Sequence, residues 1–141
     1  MPSLRTNAWL LRGLSSLPGT LMLPGAHVSF EATGTGSAWP RQLRALEREL
    51  SVPGLADALA GGKSCRLFRW PTSTVRVWVP WYYFGGGIKI AHESSVLRIS
   101  FGRPVDLGGR NIGAVADQWR EIQRMRAQGR EWVSALRFAR T

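Results

Sequence analysis

The segment from Cys65 to Phe101 limits the possible folds more than any other part of the chain. It is a succession of short runs in which apolar and polar side chains alternate: "CRLFRW", "TVRVWV", "GIKIA" and "VLRISF". Alternation at period two sends successive side chains to opposite faces, so each run suits a strand with one buried face. Pro71, the glycines Gly85, Gly86 and Gly87, and the "HESS" stretch starting at His92 separate the runs as turns. Trp81 to Phe84 reads as one more strand of the series. Such elements build a small barrel or sandwich.

Upstream, "GTLMLPGAHVSFEAT" reads as an antiparallel hairpin around Pro24-Gly25, with Val28 and Phe30 alternating against Ser29 and Glu31. A loop follows from Gly34. Pro40 suits the first turn of a helix, and Ser37 is its candidate cap. Trp39, Leu43, Leu46 and Leu50 fall on one stripe, with Arg41, Arg44, Glu47 and Arg48 outside it. Pro53-Gly54 ends that helix, and Leu55 and Leu59 mark a short second one closed by Gly61-Gly62.

From Asn111 the period changes to that of a helix, with Val115, Trp119 and Ile122 on one stripe and Trp132, Val133 and Leu136 continuing it. Asn111 is its candidate cap. Gly129 costs about 1 kcal/mol in a helix interior, so a kink or break is expected there. The chain of 141 residues, 44% hydrophobic, suits a single core. It divides into an N-terminal segment 1–18 and one domain 19–141, with a helical insertion 39–62 and a C-terminal helix over about 111–139.

Charge narrows the partners without naming one. Against 9 acidic residues stand 19 basic ones, for a net charge of +10. That field attracts phospholipid headgroups, nucleic acid or acidic proteins. Lys63 and Lys89 are the only lysines, and arginine makes bidentate contacts to phosphate and carboxylate. Cys65 is the only cysteine, which excludes an intrachain disulfide and fits a reducing compartment. The apolar run "AWLL" between Arg5 and Arg12 is too short for a signal segment, and no stretch is long enough to span a membrane. The expected location is the cytoplasm, with peripheral contact at a membrane surface allowed.

"LFRWPTSTVRVWVPWYYFGGGIKI...VLRISFGRP", Leu67 to Pro104, resembles the GRAM and pleckstrin-homology-like domains of small bacterial proteins. The likeness rests on Pro71, the "PWYYFGGG" segment, Lys89, and Arg98, Ser100, Phe101, Arg103 and Pro104 in the last strand. The Gly19–Phe30 hairpin resembles the opening strands of such domains, and the tryptophan-bearing terminal helix resembles their closing helix. This resemblance implies two nearly orthogonal antiparallel sheets closed at one end by the C-terminal helix, with residues 39–62 as an insertion on the side of the barrel. The function it most often suggests is lipid recognition. In pleckstrin-homology domains that depends on basic residues flanking the first hairpin, and here "LPGAH" has none.

A phosphate-binding glycine loop runs from a strand into a helix N-terminus, whereas "FGGGIKIAH" runs into an alternating strand. Gly85, Gly86 and Gly87 therefore read as a structural turn or bulge. Alternation divides the aromatic run Trp78, Trp81, Tyr82, Tyr83 and Phe84 between core and surface. Arg66, Arg69 and Arg76, with Lys63 and Lys89, are candidates for a basic binding surface beside Trp81, Tyr82 and Tyr83, although Pro71 leaves the shared face of Arg66 and Arg76 open. Cys65, His27, His92 and Asp57 lack the spacing of a nucleophile or metal site, so neither catalysis nor a cofactor is expected. The expectation is a mainly β, non-catalytic binding or adaptor module that meets a protein partner or an anionic phospholipid surface. The alternative is a non-specific nucleic-acid-binding basic protein, since "RQLRALERELSVPGLADALAGG" loosely resembles a helix-turn-helix.

Overall fold

A computed structural model describes residues 3–12, 15–79, 87–102 and 115–140. The elements in chain order are β1 (Ser3–Arg12), β2 (Ser15–Pro24), β3 (His27–Ala32), α1 (Pro40–Leu50), α2 (Leu55–Ala60), β4 (Cys65–Pro71), β5 (Arg76–Trp78), β6 (Gly87–His92), β7 (Ser95–Ser100) and α3 (Val115–Arg140). The strands form one seven-stranded antiparallel sheet in the order β4-β3-β2-β1-β7-β6-β5.

Two consecutive meanders, β1 to β4 and β5 to β7, are thus joined by the pairing of β1 with β7, Leu10 opposite Ile99. The segment set apart as 1–18 is therefore no appendage. β1 is the central strand, and β2 begins at Ser15, before the expected hairpin. Its ladder to β2 runs the full length of both strands, and Ala8 and Leu10 are buried in the core. "AWLL" hides this alternation by placing outward Trp9 and Leu11 among inward apolar residues.

The sheet is open rather than closed, with β4 and β5 as its edges. It is nonetheless strongly curved. Six strand spacings would put the edges of a flat sheet roughly 29 Å apart. Residues 72–75, which connect those edges, reach at most about 18 Å. The aromatic rings show the same curvature: Trp70 of β4 stacks on His92 of β6 at 5.1 Å between centroids, and on Phe68 at 4.1 Å. His92, read from the sequence as the start of a turn, ends β6 and is half-buried in this stack.

Inside lie Leu21, Leu23, Val28, Phe30, Ile88, Ile90, Leu97 and Ile99, at the period of two that the sequence suggested. At Gly19 of β2 the backbone comes close to this packing. A Cβ there would collide with the Glu31 carbonyl oxygen and meet the Phe30 ring at 2.6 Å.

The expected helices are present, with corrections at their ends. Trp39 rather than Ser37 is the N-cap of α1, and Gln42 Oε1 accepts the Trp39 N–H at 2.8 Å. Ser37 Oγ instead accepts the Ser16 N–H at 2.9 Å, tying the loop to β2. Trp39, expected on the apolar stripe, is 72% exposed, because the N-cap residue lies outside the helical turn that aligns Leu43 and Leu46. Glu47 Oε1 accepts the Ala56 N–H at 3.2 Å and so caps the start of α2. Leu43, Leu46, Leu55 and Leu59 join the same core as the strands, so the insertion completes that core.

α3 runs unbroken through Gly129. Gly129 is buried and lies on the helix face that carries Met125, Trp132 and Leu136, where a small residue lets the helix approach the sheet. Close packing there outweighs the intrinsic cost of glycine. Trp132 is fully buried, donates Nε1–H to Thr6 Oγ1 at 3.0 Å and stacks on Phe101. The candidate cap Asn111 lies outside the described residues.

Candidate functional site

The expected basic residues sit on strands whose local irregularities decide where they point. In β4, Phe68 pairs with Phe30 and Arg66 with Glu31, which leaves Leu67 as an extra residue in a β-bulge. In an unbroken strand Arg66 and Arg69, three apart, would face opposite ways. The bulge inserts one residue between them, so Arg66 and Arg69 lie opposite Glu31 and Ser29, which share a face of β3. Both arginines are exposed, while Leu67 and Phe68 are buried side by side.

Arg76 opens β5 and is also exposed. It stands across the 72–75 turn from Arg69. That turn is held by the Thr72 hydroxyl, which donates to the Ala26 carbonyl at 3.1 Å, and by the Thr74 hydroxyl, which donates to Pro71 O at 3.2 Å. Arg66 and Arg76 belong to the two edge strands that flank this turn.

Lys89 lies in β6 between Trp78 of β5 and Arg98 of β7 in the ladder. It is half-buried, which separates it from the exposed arginines. Trp78 and Val79 are exposed next to it. Trp81, Tyr82 and Tyr83, and the turn glycines Gly85 and Gly86, lie outside the described residues. Gly87 is the first residue of β6, buried and paired with Ser100.

One acidic neighbour of this surface was not singled out from the sequence. Glu31 faces Arg66 across the β3–β4 ladder. Only the bulged register reveals that opposition. Glu31 also acts on Cys65, whose thiol is pushed above its ordinary pKa first by burial and then by the Glu31 and Glu47 charges. Cys65 therefore lacks the electropositive setting that makes a thiol a nucleophile. Among the described residues no three His, Cys, Asp or Glu side chains converge as a metal site would require. No described helix is long and apolar enough to cross a membrane.

The arrangement is an outward basic surface along both sheet edges with exposed Trp78 and Val79 beside it. No family model, curated protein or solved structure matches the chain.

Proposed function

We propose that the protein is a non-catalytic binding module of GRAM or pleckstrin-homology-like type that docks on an anionic surface through Arg66, Arg69 and Arg76. The observation that carries the proposal is the bulge at Leu67, which turns both β4 arginines outward beside the turn leading to Arg76. Antiparallel strands followed by one terminal helix support the fold assignment, although the resemblance implies two orthogonal sheets and the strands form one open sheet. The sheet's open edge and the core-filling insertion are features of this chain.

An anionic phospholipid surface is the favoured partner. Trp78, on the strand that carries Arg76, and Val79 just after it are exposed, and tryptophan suits the boundary between headgroups and acyl chains. The arginines supply long-range attraction, while the apolar side chains supply contact that survives screening.

Co-sedimentation with neutral and with anionic vesicles, at low and at physiological salt, tests the proposal. Binding is expected only to anionic vesicles. Each of Arg66→Gln, Arg69→Gln and Arg76→Gln should weaken it by about fivefold, from about 1 kcal/mol per basic residue near the surface. Equal binding to neutral vesicles, or indifference to all three substitutions, would defeat the lipid reading. Binding to an acidic protein with the same arginine dependence would reassign the surface to a protein partner.

A further inference from the structure

A second site lies away from the basic edges. Between β1 and α3 is a cleft of about 440 Å³, lined by Arg5, Asn7 and Trp9 from the strand and by Arg124 and Gln128 from the helix. This volume falls within the range of small-molecule sites, roughly 300 to 1,000 Å³. Arg5, Asn7 and Trp9 alternate along β1 and so share one face of the central strand.

Several polar side chains of the cleft have donors to spare. The Arg124 guanidinium uses four of its five N–H groups: it donates to both Glu121 carboxylate oxygens, to the Gln128 Oε1 at 2.8 Å and to the Phe101 carbonyl at 3.1 Å. It forms a fixed wall, and its charge is balanced by Glu121. Because Gln128 accepts through its oxygen, its amide NH2 remains available to donate. Thr6 Oγ1 accepts from Trp132, which leaves the hydroxyl proton available. Arg5 and Asn7 are exposed, and neither side chain is engaged by another described residue. Among the described residues no carboxylate lines the cleft.

Trp9 supplies the apolar wall. It is half-buried between Pro18 of β2 and Ser100 of β7, its ladder neighbours on the two sides. A tryptophan held this way in a central strand keeps one flat face in place, at little further entropic cost on stacking. Its Cα is roughly 13 Å along the strand from that of Arg5. With the Arg5 side chain turned towards Trp9, the remaining gap is one that a nucleoside monophosphate covers.

We propose that this cleft binds a small organic anion bearing a planar ring, with the carboxylate or phosphate on Arg5 and the ring against Trp9. A guanidinium recognises both anions bidentately, and a buried aromatic face selects a flat group. The proposal does not rest on the membrane reading, since none of Arg66, Arg69 and Arg76 lines the cleft.

The test is a titration of the full ¹⁵N-labelled chain followed by NMR, using adenosine monophosphate, adenosine and inorganic phosphate as probes. Adenosine monophosphate should saturate with shifts at the Trp9 indole N–H and the Asn7 and Gln128 side-chain amides. Adenosine and inorganic phosphate should each bind at least tenfold more weakly. Arg5→Gln should weaken nucleotide binding by tenfold or more, as should Trp9→Leu, whereas Arg66→Gln should leave it unchanged. The exposure of Arg5 makes its replacement compatible with folding, which thermal unfolding of the variant checks. No saturation, shifts centred on Arg66, Arg69 and Arg76, or inorganic phosphate binding as tightly as the nucleotide would each overturn the proposal. Vesicle sedimentation of Arg5→Gln should match the parent chain. A loss there would assign the cleft's phosphate chemistry to a lipid headgroup and likewise overturn the small-molecule reading.

Discussion

Cys65 shows how a single side chain takes its chemistry from neighbours that are distant in sequence. Partial burial raises its pKa, and Glu31 and Glu47 raise it further by opposing a thiolate beside them. The folded pKa lies above the unfolded one, so the protonated thiol's contribution to stability is complete below the unfolded value. It is lost as pH rises through the folded value. Alkylation by iodoacetamide at pH 8 is therefore expected to be several-fold slower in the folded chain than in denaturant, with Glu31→Gln narrowing the gap. Equal rates in the two states would mean that the thiol is as solvated as in the open chain. The sequence reveals that Cys65 is alone, but Glu47 acts on it only because the 39–62 insertion folds back against β4. The outward direction of Arg66 was likewise illegible, because bulge positions follow from how Leu67 and Phe68 both fit the core.

The elements most legible in the sequence were those with a clean period and strong punctuation. α1 begins at Pro40 and α2 ends before Gly61-Gly62, as proline and glycine chemistry requires. β1 was the costliest omission, since outward Trp9 and Leu11 conceal an alternation that the ladder to β2 makes plain. Among the described residues of α3, Trp132 is the largest side chain fully buried in the core. Trp132→Phe should cost about 1 kcal/mol through the lost hydrogen bond to Thr6. Trp132→Ala should cost about 3 to 5 kcal/mol by opening a cavity against Phe101. The shift in urea midpoint measures both, with exposed Arg137→Ala as the reference. If Trp132→Ala were no worse than that reference, α3 would not be docked on this residue.

At the scale of the whole molecule, the charge of +10 sets a field while the fold decides which part of it a partner meets. Glu31 partly offsets Arg66 within that surface, so Glu31→Gln should raise anionic-vesicle affinity at low salt by a few-fold and much less at physiological salt. Weaker binding by Glu31→Gln would show that Glu31 orients the arginine rather than opposing it. Composition, periodicity and punctuation by themselves determined a mainly β chain with a helical interlude and a closing helix, because those properties act over a few residues. The central place of β1, the open curved sheet, the outward pair Arg66 and Arg69, and the cleft beside Arg5 were decided only by tertiary structure. Each depends on which strands pair and in what register, and that choice is made by long-range packing rather than by local sequence.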